Sequence, residues 1–306
     1  MALGALQVML DLGKNQDGFA SPLITCLAII SAIAFAAFVI WEMTAEHPIV
    51  NQRVFRHRGF CMSMVVFAFT LGGFFATNLL TPLWLQSNLG YTATSAGLAA
   101  GATGLMAVIA APIAAWLCTR MDERIVLFGG VAWLMVTSML RGMVNTDITF
   151  WQVSGVLFLV GAAMPTFFMP LTTMSLAAVE PEETADASGL SSFVRTLSAA
   201  FATSIVTTSW ENSTASYHAE LAARATGVVA SASQLAVTGL EPLQAIVLMN
   251  RLVDQQAVVL ATNQLFWTIA AAFGFVLALV WLIPRPRRVV DIALSHLISY
   301  LLTIDL

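Results

Sequence analysis

Long apolar runs separated by short polar stretches dominate the chain. Seven of them, at roughly 22–41, 60–85, 95–118, 125–143, 151–178, 189–209 and 263–283, reach or approach the length a bilayer demands. A hydrocarbon core of about 30 Å takes about 20 apolar residues as a helix. The runs are far too long to be strands, and a backbone in lipid must satisfy its own hydrogen bonds, so each is predicted to be a transmembrane helix. The pattern defines an all-α integral membrane protein with seven spans.

Arginine and lysine set the predicted orientation. Arg53, Arg56 and Arg58 follow the first span, Arg120 and Arg124 lie between the third and fourth, and Arg285, Arg287 and Arg288 follow the last. These three segments share one side, which is therefore expected to be cytoplasmic. The short loops of the other side carry only Lys14 and Arg141, so the N-terminus is expected outside and the C-terminus inside. Trp41, Trp84, Trp116, Trp151, Trp210, Trp267 and Trp281 fall near span ends, where indole rings anchor at the interface.

One connection is long. Residues 210–262 are polar and Ala-rich, with apolar positions such as Leu243, Ile246, Val247 and Leu252 recurring between charges. They read as one or two amphipathic helices on the outer face, serving either as a spacer or as a docking surface for a partner outside the cytoplasm.

Composition agrees with the pattern. Of 306 residues, 58% are hydrophobic and 10% charged, where soluble domains carry about 25% charge. The mean hydropathy is +0.84. A net charge of −4 offers no basic surface for nucleic acid. Cys26, Cys61 and Cys118 are scattered through apolar runs and read as small helix-packing residues. The four histidines form no ligand-spaced cluster, so no metal is expected. The first apolar stretch ends at Asp11 without a basic segment before it, so no signal peptide is predicted.

Candidate chemistry within the spans is sparse. Charges inside a membrane are costly and mark function. Arg195, about two turns into the sixth span, is the clearest; it either snorkels to the cytoplasmic surface or faces the bundle interior. No Asp or Glu lies near a span midpoint. Asn78, Gln86, Asn263 and Gln264 gather towards the outer ends of the second and seventh spans, with Thr77, Thr81 and Trp84 beside the first pair. Met164, Phe167, Phe168 and Met169 form a soft stripe on the fifth span, suited either to helix packing or to varied apolar ligands. Gly97, Gly101 and Gly104 give the third span a small-residue face for close helix packing. Pro82, Pro112, Pro165 and Pro170 lie inside spans, where proline kinks a helix and frees carbonyls.

Four segments carry a family resemblance. TPLWLQSNLGYTATSAGL (81–98), MPLTTMSLAAVEPEETADASGLSSFVRTL (169–197), WEMTAEHPIVNQRVFRHRGF (41–60) and RMDERIVLFGG (120–130) resemble the EmrB/QacA-type drug:proton antiporters, fourteen-helix members of the major facilitator superfamily. The resemblance covers about residues 1–288 and implies the following architecture. Residues 1–21 end a preceding helix and its outer loop, 22–58 form a linker helix and cytoplasmic loop, and 59–288 form the C-terminal six-helix bundle. Residues 289–306 match nothing in the family and read as an interfacial helix or as sequence from a frameshift or altered stop. Asp122 and Arg124 match the charged members of the family's loop motif.

The resemblance implies secondary active transport rather than enzymatic catalysis: export of small amphipathic drugs across the bacterial inner membrane in exchange for protons. No cofactor beyond the proton gradient is implied. Its partners would be the N-terminal half, which is missing here, a periplasmic adaptor and an outer-membrane channel. Asn78, Trp84, Gln86, Phe167, Met169, Arg195 and Gln264 are the candidate pathway residues. Gln264 stands where family members often carry Asp. Facilitator transport needs two halves rocking about a midplane site, so this chain alone is expected not to pump. The alternative is a non-transporting scaffold or inactive fragment that packs on a partner.

Overall fold

The computed structural model describes residues 52–88, 90–143, 145, 148–229 and 242–284, with Cys26, Ile29 and Ile33 as isolated helical positions. The predicted linker span at 22–41 and the tail at 289–306 therefore lie outside the described residues. Among the described residues, six helical stretches are long and apolar enough to cross a membrane.

They build seven helices: α1 (Arg58–Asn88), α2 (Ala93–Arg120), α3 (Glu123–Arg141), α4 (Phe150–Gly161), α5 (Ala163–Ala177), α6 (Thr184–Val229) and α7 (Pro242–Val280). Short polar caps start several of them. Thr92 Oγ1 accepts from the Ser95 N–H at 3.2 Å to open α2. The Asp122 carboxylate accepts from the Arg124 N–H at 3.1 Å to open α3, and at α4 the Thr149 N–H donates to Gln152 Oε1 at 2.9 Å. Such caps satisfy N–H groups that the first helical turn leaves without partners.

The predicted fifth span is two helices. The break falls at Ala162, between α4 and α5. Pro165, three residues on, has no N–H to return to the Gly161 carbonyl. By contrast α1, α2 and α5 run unbroken through Pro82, Pro112 and Pro170.

α1 is the axis of the bundle. Over its most apolar stretch 56% of its residues are buried, against 22% for α2 and 17% for α6. It packs on α6, α7 and α5, while α3 lies against α5 and α7, and α2 against α4 and α5. Phe60, Phe67, Leu80, Leu127, Phe167 and Phe273 are sealed within the core. The exposed Leu98, Leu105, Val108 and Ile113 leave one side of α2 apolar and uncovered.

Close helix approach occurs elsewhere than the sequence suggests. A Cβ on Gly161 would run into the Thr103 carbonyl of α2, and one on Gly130 would meet Thr166 Oγ1 at 2.8 Å. Nothing described lies within 4 Å of a Cβ built on Gly97, Gly101 or Gly104. The small-residue face of α2 is thus open within this chain, and the contact it was expected to make is supplied by Gly161.

The long connection also differs from expectation. Instead of separate amphipathic helices, α6 continues without interruption for 46 residues and α7 for 39. At about 1.5 Å per residue α6 is roughly 70 Å long, about twice a bilayer core. The two extensions are pinned side by side: His218 Nε2 and Asp254 Oδ1 are 3.2 Å apart, and the buried Trp210 donates its indole N–H to Thr262 Oγ1 at 2.9 Å. At the opposite end His57 Nε2 lies 3.0 Å from Glu183 Oε2 and ties the 52–57 segment to the α5–α6 link.

Candidate functional site

Among the described residues the most deeply buried charge is Arg141, at the C-terminal end of α3. It is 4% exposed. It was expected in a loop, yet the apolar run 125–143 extends two residues past it, and that overrun is the signal. Its guanidinium crosses towards α1 and α7. Nη1 donates to the Thr77 carbonyl at 3.2 Å, and the group lies 5.6 Å from the Phe266 ring centroid, within cation–π range.

Beside it is a cavity of about 20 Å³ lined by Thr81, Trp84, Arg141, Ile148, Leu157, Thr262 and Phe266, among others. That volume holds about one water-sized group. Three buried N–H groups have no hydrogen-bond partner among the described residues: Arg141 Nε, Arg141 Nη2 and Trp84 Nε1. Each buried unsatisfied donor costs about 1–3 kcal/mol, and a charged one more. Both threonine hydroxyls already donate elsewhere, Thr81 to the Thr77 carbonyl at 2.9 Å and Thr262 to the Val258 carbonyl at 2.7 Å, while the Thr81 oxygen keeps the capacity to accept.

Trp84 and Trp210 are a correction. Both were expected as interfacial anchors, and both are buried, at 3% and 9% exposure. Trp116, Trp151, Trp267 and Trp281 are exposed, as anchors should be.

Arg195 sits towards the other end of the bundle. Phe67 and Thr77 are ten residues apart on α1, which puts about 15 Å between the two arginine sites along that helix. The Arg195 guanidinium lies 5.7 Å from the Phe67 ring centroid and 5.3 Å from that of Phe168. Those rings meet edge to face at 5.5 Å. Arg195 Nη2 also donates to Ser192 Oγ on its own helix at 2.7 Å. The residue is half-buried, with its charge turned onto the aromatic pair.

The other candidates do not converge on one site. Phe167 is fully buried against Phe74, centroids 5.7 Å apart. Asn78 is half-buried and donates to the Phe74 carbonyl of its own helix at 2.8 Å. Gln86 is exposed and donates back to the Pro82 carbonyl at 3.2 Å. Met169 and Gln264 are exposed. Asp122 caps α3, and Arg124 beside it is half-buried with its Nε unpartnered among the described residues. Trp84 alone of the predicted pathway residues lines the Arg141 cavity.

Six apolar spans, five of them gathered about the central α1, with arginines turned inward, define a multi-pass helical membrane protein. Residues 20–203 match the sequence profile of the Major Facilitator Superfamily, and the chain belongs to that family. It is 33% identical over 291 residues to the multidrug export protein EmrB of Escherichia coli (strain K12), covering 94% of this chain and 57% of that one. The fatty acid resistance protein FarB of Neisseria gonorrhoeae is 31% identical over 290 residues, with the same coverage. The probable multidrug resistance protein EmrY of Escherichia coli (strain K12) is 31% identical over 291. The chain spans 57% of the length of each of these curated relatives.

Proposed function

We propose that this chain is the C-terminal six-helix half, with one preceding linker helix, of an EmrB/QacA-type drug:proton antiporter of the bacterial inner membrane. It acts with an N-terminal half to export small amphipathic drugs and so confers resistance. The observation that carries this reading is the 31–33% identity to multidrug export and resistance proteins sustained over 94% of the chain.

The second half has two tasks. It supplies the proton-carrying carboxylate, since α1, α2, α4 and α5 contain no Asp or Glu at all. It also completes a drug-sized site, which takes about 300 Å³ or more, against the open side of α2. The termini lie as the arginine distribution predicts, N-terminus periplasmic and C-terminus cytoplasmic. The paired extensions of α6 and α7 then project into the periplasm, where they meet a periplasmic adaptor that leads to an outer-membrane channel.

The test is complementation. A strain deleted for its own exporters receives this chain alone, or this chain with a co-expressed N-terminal half from a relative. Drug resistance restored only by the pair supports the reading. Resistance from the chain alone overturns the need for a second half. No resistance from a pair that assembles in the membrane favours the scaffold alternative.

A further inference from the structure

We infer that Trp133 is a positioning residue, the splint of a hinge between two bodies of this bundle. Its indole fixes the angle at which α4, α2 and the last turn of α1 stand against the remaining helices. The inference is independent of the export reading, because the angle is measured on this chain without transport.

The buried apolar side chains form two cores. Trp84, Leu85, Ala96, Ala99, Val153 and Leu157 make a small one, at the end of the bundle where α1 stops and α2 starts. Leu80, Val160, Ala163 and Phe167 belong to the large one. Among the described residues no α2 side chain belongs to the large core. Two stretches of chain cross the boundary beside a proline. α1 passes from Leu80 to Trp84 through Pro82. The predicted fifth span passes from Leu157 to Ala163 through the break at Ala162, three residues before Pro165. Proline lacks the N–H that the carbonyl one turn earlier would accept, and helices bend at such points.

The seam between the cores is loosely closed. The cavity of about 20 Å³ lies in it, with Trp84, Val153 and Leu157 of the small core on one side and Phe266 of the large core on the other. Trp84 Nε1 has no partner among the described residues. Divisions of low local stability fall where buried contacts are few and polar groups go unpaired. The small body is tied within itself. Thr103 Oγ1 of α2 donates to the Leu157 carbonyl of α4 at 3.1 Å, and the Tyr91 and Phe150 rings lie 6.2 Å apart.

α3 spans the break. Gly130 and Trp133, about one turn apart on that helix, meet its two sides. A Cβ on Gly130 would lie 2.8 Å from Thr166 Oγ1 and 2.9 Å from the Phe167 nitrogen, so the first turn of α5 is pressed onto α3. Trp133 Nε1 donates to the Leu159 carbonyl in the last turn of α4 at 2.7 Å. That carbonyl also accepts from the Ala162 N–H at 3.3 Å. The indole is therefore not needed to satisfy it. What the indole adds is a fixed direction for α4 relative to α5.

The test is double electron–electron resonance on the purified full chain in lipid nanodiscs, with Cys26, Cys61 and Cys118 replaced by serine. Spin labels on Thr94→Cys of α2 and Thr208→Cys of α6, both exposed positions, report across the hinge. Labels on Thr94→Cys and Gly155→Cys report within the small body. Trp133→Phe is expected to raise the minor population of the cross-hinge distances about 3- to 10-fold, the effect of one hydrogen bond, and to leave the distances within the small body unchanged. Pro165→Ala returns an N–H to the Gly161 carbonyl and is expected to narrow the cross-hinge distribution. Circular dichroism checks that each variant keeps its helix content. An unchanged cross-hinge distribution in Trp133→Phe overturns the inference. So does equal broadening of both label pairs, which would make Trp133 a general stabiliser of the bundle. Should Trp133→Phe fail to fold, Pro165→Ala decides, and an unchanged cross-hinge distribution there overturns the hinge.

Discussion

Arg141 donates through Nη1 to the main-chain carbonyl of Thr77, 3.2 Å away, and so joins the end of α3 to the middle of the central helix α1. The same carbonyl already accepts from the Thr81 hydroxyl at 2.9 Å. The arginine is therefore not needed to satisfy it. A buried cation with two idle donors lowers stability, and a chain selected for stability alone would carry an apolar residue there.

That reasoning gives a signed prediction. Replacing a buried ion pair by apolar residues of similar volume is commonly neutral or stabilising by about 1–4 kcal/mol, and a buried ion without an opposite charge has less attraction to lose. Arg141→Met is expected to leave the thermal midpoint of the detergent-solubilised chain unchanged or to raise it. Arg141→Ala, which enlarges the cavity next to Phe266 and Leu157, is expected to lower it. A fall with both variants of equal size would mean that the charge itself holds the helices together.

The two long extensions give a second prediction. Trp210 on α6 donates to Thr262 Oγ1 on α7, both buried. Thr262→Val removes the acceptor and strands the indole N–H, at a cost of about 1–3 kcal/mol. Trp210→Phe in the same chain removes the stranded donor. The double variant is expected to be less destabilised than the sum of the singles, and a double-mutant cycle on unfolding midpoints measures the difference. Simple additivity would show the bond contributes nothing.

The glycines give a third. Gly161→Ala drives a methyl group into the Thr103 carbonyl of α2, and overpacking of this kind costs about 1–3 kcal/mol. Gly97→Ala meets nothing within 4 Å and gains helix propensity, so it is expected to be neutral or mildly stabilising in this chain. Thermal unfolding of the two variants side by side decides the matter. Destabilisation by Gly97→Ala alone would restore the packing role that its spacing suggested.

These cases mark what could be read before the fold was known. The six spans within 58–280 were legible because apolar length is a property of each segment alone. The break near Pro165 was not singled out, since Pro82, Pro112 and Pro170 lack an N–H equally and their helices run on. The open face of α2 was not, because Gly97, Gly101 and Gly161 are equally small, and only the crossing of α2 over α4 decides which one is used. The His57–Glu183 contact was hidden by a separation of 126 residues. Arg141 was taken for a loop cation because counting arginines for orientation treats every charge near a span end as solvated. The seal over it is built by α1, α4 and α7, which no reading of α3 alone contains. Trp84 was singled out for polarity near a span end, and its partner in the cavity lay 57 positions further along.

The fourth prediction concerns Arg195, for which the sequence left two alternatives. A charge that snorkels loses little when a neighbouring ring is trimmed, whereas one resting on two rings loses their electrostatic attraction. Arg195 lies 5.3 Å from the Phe168 centroid and 5.7 Å from that of Phe67, and half-buried cation–π contacts contribute about 0.5–2 kcal/mol. The single variants Arg195→Gln and Phe168→Leu, with their double, form a cycle in which packing losses cancel and the coupling remains. A coupling of about 0.5 kcal/mol or more, retained in 1 M salt because the rings shield the charge from screening by ions, is the expected outcome. A coupling that vanishes in high salt, or is absent from the start, would return Arg195 to the membrane surface and leave Phe67 and Phe168 as plain packing between α1 and α5.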